Sequence, residues 1–266
     1  MLLVGLAIAT IFSRESRSAD DDLTAEVKVL IAKFKEDLKS KTPATRASAY
    51  KTIAELGDKA KSERRTMCEG LMDVAPIVRT AAADCLKKVD ENTYKLAMAV
   101  MIDKDIETIL DMKKLGTAAA PIAPILLKFA GDHSPVASRQ DATSTVQASR
   151  RMLTACVNTL VAIAPEDVMV NQAVIRMLGN PVPELRDVAV GNVSALKNKK
   201  LALTGLLTVA GNPQDFAGTR VKALSIIPDL VDENTSAPSK KALEKIRFDD
   251  VRAVREAVED AMKKIK

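Results

Sequence analysis

One stripe of residues recurs along this chain and constrains its fold more than any other feature. Each copy opens on an Arg, carries a small or apolar residue three positions later, and has apolar residues seven and ten positions after the Arg. On a helix these positions share one face. Arg46 is followed by Ala49, Ile53 and Leu56; Arg79 by Ala82, Leu86 and Val89; Arg150 by Leu153, Val157 and Leu160. Arg186 leads to Ala189, Val193 and Leu196; Arg220 to Ala223, Ile227 and Leu230; Arg255 to Val258, Met262 and Ile265. A degenerate copy has Asp105 in the Arg slot, then Thr108, Met112 and Leu115.

The steps between anchors are 33, 26, 45, 36, 34 and 35 residues. The short and long steps together make two ordinary ones, so the register slips at the third copy and then recovers. The polar run opening on Gly131-Asp132-His133-Ser134-Pro135 predicts a longer loop, at about 131–145, as the source. A second apolar segment precedes each anchored helix, at 67–72, 94–102, 122–129, 168–178, 201–209 and 243–246. Turn formers separate the pairs: Pro43, Pro76, Asn180-Pro181, Gly211-Asn212-Pro213 and Asp249-Asp250. Proline suits a helix start, where its missing N–H would have no partner anyway. Two helices in about 35 residues, repeated, make a solenoid of helix hairpins. The expected fold is therefore all-α: a right-handed α-solenoid (superhelix) of about seven stacked antiparallel helix hairpins, forming one domain over 20–266.

The phrase Leu71-Met72-Asp73-Val74-Ala75-Pro76-Ile77-Val78-Arg79-Thr80-Ala81-Ala82 resembles the HEAT-repeat consensus, in which Asp, Pro, Val and Arg join two helices. Leu56-Gly57-Asp58-Lys59-Ala60 and Leu115-Gly116-Thr117-Ala118-Ala119-Ala120-Pro121 look like that family's link between repeats. The resemblance is to the short HEAT-like repeats of bacterial type and covers roughly residues 23–266. It implies that each Arg pairs with an Asp six positions earlier, building a ladder between repeats. Asp73 stands at that spacing before Arg79, and Asp249 before Arg255. Asn180 fills the slot before Arg186, Asp215 lies five before Arg220, and Ser40 and Ser144 precede Arg46 and Arg150. The ladder is thus expected to be partial. Tetratricopeptide repeats would need a Trp/Leu/Gly/Tyr pattern and ankyrin repeats a Thr-Pro-Leu-His, both missing here. Armadillo units carry a third helix that about 35 residues cannot easily hold.

The composition argues for binding rather than catalysis. Aromatic residues make up 3% of the chain, with no Trp. That argues against a glycosylase-like HEAT protein, which would use Trp and Asp on a basic face. His133 is the only histidine, too few for the His-Glu di-iron sites of other HEAT-repeat enzymes. Cys68, Cys85 and Cys156 show no CxxC or Cys/His spacing and are expected to be reduced and buried. Asp20-Asp21-Asp22 reads as a polar tail, and Asp249-Asp250 as a helix start. No phosphate-binding Gly-rich motif is present. The expectation is no enzyme, no cofactor and no metal.

The formal charge is +5 and the pI about 9.0, with basic and acidic residues interspersed. Nucleic-acid binding needs a concentrated basic patch, so a protein partner is the first reading. A nucleic-acid-binding solenoid and a bilin-lyase-like HEAT-repeat protein are the alternatives. Second helices of solenoids usually line an extended concave surface. There the candidate contact points are Lys87, Lys88, Lys113, Lys114, Lys263 and Lys264, which also read as ordinary lysines favoured near helix C-termini. A monomer is expected. Residues 2–12 form an apolar run before Ser13-Arg14-Glu15-Ser16-Arg17-Ser18-Ala19, so 1–19 reads as a signal peptide of an exported protein. The run is too short to span a membrane, and the mature chain is expected to have no membrane span. The alternative is a packed N-terminal helix of a cytoplasmic protein.

Overall fold

The computed structural model describes residues 24–196 and 202–265; the expected signal segment 1–19 and the Asp20-Asp21-Asp22 tail lie outside the described residues. Among the described residues there are fourteen α-helices and no strand, and the helices fall into seven sequential pairs. The first helices of the pairs are α1 (Ala25–Asp37), α3 (Arg64–Gly70), α5 (Glu91–Asp103), α7 (Ala123–Ala137), α9 (Val168–Leu178), α11 (Leu203–Gly211) and α13 (Glu233–Ile246). The second helices are α2 (Pro43–Ala54), α4 (Pro76–Val89), α6 (Ile106–Lys114), α8 (Ser144–Ile163), α10 (Pro183–Val193), α12 (Ala217–Ile226) and α14 (Arg252–Lys264). The recurring stripe lies on the second helices.

Two kinds of helix start recur. Four first helices open on polar caps: the Thr24, Asp90, Asp167 and Asp232 side chains accept from N–H groups of the first turns of α1, α5, α9 and α13. Asp232 and Thr235 cap each other's backbone reciprocally. Three second helices, α2, α4 and α10, instead open on a proline. Gly57 and Gly116 take positive φ values of 53° and 57°, ending α2 and α6 and starting the 3-10 segments Gly57–Glu63 and Gly116–Ile122. These segments are the inter-repeat links marked in the sequence.

The residues group into two compact units, Met1–Lys128 and Phe129–Lys266, where the sequence reading set a single domain over 20–266. In the first unit α2 packs on α1 and α4, while the second 3-10 segment packs on α3 and α5. In the second unit the two layers of a solenoid are plain: α8, α10, α12 and α14 succeed one another in one layer, and α9, α11 and α13 in the other. The stripe supplies the core. Ile53, Leu86, Leu160, Ala189, Val193, Leu196, Ala223, Ile227 and Val258 are all fully or almost fully buried. Each large member contributes roughly 1.5–3 kcal/mol, a burial that a hairpin obtains only by covering its neighbour.

Two features depart from the sequence reading. The expected loop at about 131–145 is mostly helix: α7 runs through Ala137 and α8 starts at Ser144. Some of its polar residues are engaged by the protein, while others such as Asp132, Gln140 and Thr145 stay exposed on helix or turn. His133 Nδ1 lies 3.3 Å from Ser149 Oγ, Ser138 Oγ donates to the Ser134 carbonyl at 2.7 Å, and Asn180 Nδ2 donates to Ser138 Oγ at 2.7 Å. Part of the register slip is an extra turn of α8 ahead of Arg150. Asp105 is also not in the Arg slot; it caps α6, accepting from Thr108 N at 2.7 Å, and buried Ile109 takes the place the Arg holds elsewhere.

Candidate functional site

The anchoring arginines act on two neighbours each. One is the turn that precedes them. Arg46, Arg79 and Arg255 donate from Nη1 to the carbonyls of Ser40, Asp73 and Asp249, at 2.8, 2.8 and 2.6 Å, and Arg186 does the same to Asn180. Arg220 donates to the Ala210 carbonyl at 3.1 Å, and Arg150 to the Ala137 and Arg139 carbonyls at 3.2 and 2.7 Å. Each guanidinium thus satisfies carbonyls of the turn inside its own hairpin or at the end of its first helix.

The other neighbour is the next hairpin, and here the expected pairing is corrected. Asp73 does not pair its carboxylate with Arg79. It takes two bonds from Arg46, Nε to Oδ2 at 2.9 Å and Nη2 to Oδ1 at 2.8 Å, and offers Arg79 its backbone carbonyl. Asp249 likewise pairs with Arg220 and gives Arg255 its carbonyl. Arg186 reaches Asp215 at 2.7 Å. The carboxylate therefore serves the hairpin before it and the carbonyl serves its own, so one Asp joins two repeats. The guanidiniums of Arg46 and Arg220 hold the Asp73 and Asp249 carboxyls below their ordinary range. Arg79 and Arg150 donate to turn carbonyls, which leaves the ladder partial.

Further bonds fix the spacing of the second-helix face. Lys88 pairs with Glu55 at 2.9 Å, Asn192 donates to Asn158 at 2.7 Å, and Thr219 donates to Asp187. Each couple joins equivalent regions of successive second helices. All six candidate lysines are exposed in the last turns of second helices. Lys87 sits 6.0 Å from the Tyr94 ring centroid, Lys114 is 2.7 Å from Asp111, and Lys263 is 3.4 Å from Asp260. Lys87, Lys88, Lys113 and Lys114 belong to the first unit, and Lys263 and Lys264 to the second. They form separate points, not a track.

The nucleophile candidates are enclosed. Cys68, Cys85 and Cys156 are free and buried, and burial pushes each thiol up to about 12. His133 is helical, and the Ser149 beside it is buried. Among the described residues no group of three or more His, Cys, Asp or Glu is placed to hold a metal, and no helix is long and apolar enough to cross a membrane. One surface went unread in the sequence: the end of α13, where Lys240, Lys241, Lys245 and Arg247 adjoin an exposed Phe248. Its signal was present in the spacing of Lys241, Lys245 and Phe248, which a helix places on one side.

No family model matches the chain, and no curated protein matches it. Among solved structures, the designed armadillo repeat protein YIII(Dq)4CqI is similar with a TM-score of 0.37 and 14% identity, over 88% of this chain and 99% of that one. A likeness that loose carries no argument, and the class assignment rests on the packing of this chain's own helices. On that packing the described residues are all-α and of helical-repeat class, each unit being built of helix hairpins stacked in the manner of a solenoid.

Proposed function

We propose that this chain is a non-enzymatic protein-binding scaffold of HEAT-repeat type, with the second helices as its docking face. The observation that carries this reading is the cross-hairpin bonding of those helices. Arg186 to Asp215, Arg220 to Asp249, Asn192 to Asn158 and Lys88 to Glu55 each link one hairpin to the next. They hold the exposed polar side chains between them at fixed repeat spacing. A surface preorganised in this way loses little freedom when a long partner lies along it. Lys87, Lys88, Lys113, Lys114, Lys263 and Lys264 are its proposed contact points for acidic groups of a protein partner. The thiols are enclosed, and the His133 ring is engaged with a buried hydroxyl, so neither supports a catalytic reading. Export is proposed from the apolar N-terminal run alone, and N-terminal sequencing of the native protein tests it.

The test of the scaffold is affinity capture on the full chain, followed by cross-linking and peptide mapping. Cross-links gathered on α2, α4, α8, α10, α12 and α14, and reduced by Lys87→Glu with Lys88→Glu, are the expected result. Cross-links confined to the first helices would overturn it. Retention on DNA at low salt, lost steeply as salt rises, would transfer the reading to nucleic acid.

A further inference from the structure

From the end of α13 we infer a second docking point, specific for a short acidic segment of a partner protein that carries an apolar side chain. This rests on the scaffold reading but uses a different layer of the fold. Lys241, Lys245 and Phe248 follow at steps of four and three, which places them along one side of the helix and its last turn. Lys240 and Arg247 flank that stripe. Both Lys241 and Lys245 are exposed, and Phe248 is 84% exposed.

Two features combine on this surface. Several lysines rest on carboxylates, as Lys35 does on Glu63 at 2.8 Å and Lys95 on Glu91 at 2.9 Å, while others such as Lys113 and Lys222 stand in solvent. Lys240, Lys241 and Lys245 have no carboxylate partner among the described residues. The chain also has only five Phe and no Trp, and it spends its closest aromatic pair inward, Phe34 against Tyr50 at 5.4 Å. An aromatic ring turned fully outward beside three unpaired cations has the anatomy of an anchor with a charged rim.

The occupant follows from charge and reach. Glu244 lies among the cations, 3.9 Å from Arg247, and exposed Asp250 lies just beyond Phe248. A membrane surface or a nucleic acid, anionic throughout, would meet both of these carboxylates. A peptide can place a few carboxylates between them. Lys241 and Phe248 are about 10 Å apart along a helix at its usual rise, which matches about three residues of extended chain. The segment therefore carries Asp or Glu about three residues from a Leu, Ile or Phe that covers the Phe248 ring.

The probe is a fluorescein-labelled peptide with Glu-Asp-Glu three residues before a Leu, titrated with the full chain and read by fluorescence anisotropy. We expect binding that Lys241→Glu with Lys245→Glu weakens at least about tenfold. Phe248→Ser should weaken it several-fold, matched by a peptide with Ser in place of Leu. Circular dichroism verifies that both variants fold. Absence of binding by the unaltered chain, or equal binding by the variants, overturns the proposal. So does tighter binding of phosphatidylserine vesicles or a single-stranded oligonucleotide at the same residues. The variant Lys87→Glu with Lys88→Glu separates the two readings. It should bind the peptide normally; if it alone loses binding, the second-helix face stands and the α13 site falls.

Discussion

Arg186 of α10 spans to the turn before α12, where its Nε donates to Asp215 Oδ1 at 2.7 Å and both side chains are almost shut off from water. Taking away one member of such a pair strands the other charge in the interior, at a cost of about 3–5 kcal/mol. Asp215→Ala is expected to lower the stability to urea by that amount. Arg186→Met combined with Asp215→Leu should recover most of the loss, because neither charge is then left behind. A double-mutant cycle reads the coupling. A loss in Asp215→Ala below about 0.5 kcal/mol, the range of ordinary surface changes, would show that the rung does not hold the hairpins.

Acid should weaken the ladder at two other rungs. The Arg46 guanidinium lowers the Asp73 carboxyl in the folded chain, and Arg220 lowers that of Asp249. An unfolded Asp titrates near about 3.9. Groups whose folded value lies below the unfolded one contribute their full stabilisation above the unfolded value, and lose it as pH falls through the folded one. Melting temperature should therefore hold steady from neutral pH to about 5 and drop below about 4. The gap between the unaltered chain and Asp73→Asn or Asp249→Asn should close over the same range. A gap that persists unchanged at the acid end would exclude these carboxylates as its source.

The three thiols make a separate prediction. Their values of about 12 mean that at pH 8 only about one in ten thousand is thiolate. Cys68, Cys85 and Cys156 should resist a disulfide reagent such as DTNB while the chain is folded. All three should react once it is unfolded in guanidinium. Rapid reaction of even one in the folded state would mean that its hairpin opens readily.

Much of this architecture was legible because a solenoid writes its period into its core. Ile53, Leu86, Val157, Val193 and Ile227 share one slot, and all are buried. What the sequence could not carry was the partner of each charge. Spacing shows only residues on the same element, so Asp73 invited pairing with Arg79, six residues away. The carboxylate in fact crosses to Arg46, 27 residues away, where two hairpins meet. The polarity of 131–137 misled in the same way. Its His133 finds Ser149 on the next helix, and the neighbouring Ser138 finds Asn180 in a later turn, contacts that are tertiary. Asp105 was misplaced because a cap and a ladder position look alike by spacing. The Lys241, Lys245 and Phe248 stripe escaped notice because exposed lysines are common, and only the outward Phe248 beside them sets these apart.

Gly70 tests how closely the first unit is packed. It ends α3 where that helix meets Tyr50 of α2 and Ala82 of α4. A Cβ built there would overlap the Tyr50 hydroxyl and ring, and would lie 2.8 Å from the Ala82 Cβ. Tyr50 cannot simply swing aside. Its ring packs edge-on against Phe34, and its hydroxyl donates to the Thr66 carbonyl at 3.2 Å. On a solvent-exposed helix Gly→Ala would stabilise by up to about 1 kcal/mol. At this crossing the overlap should outweigh that gain, and Gly70→Ala should destabilise by about 1–3 kcal/mol, the usual penalty of overpacking. Tyr50→Phe in the same background removes the obstructing hydroxyl and should restore part of the loss, although Phe at 50 alone gives up a hydrogen bond. Urea unfolding of the two single variants and the double variant measures this. A stabilising Gly70→Ala would mean that α3 stands farther from α2 than a bare backbone requires.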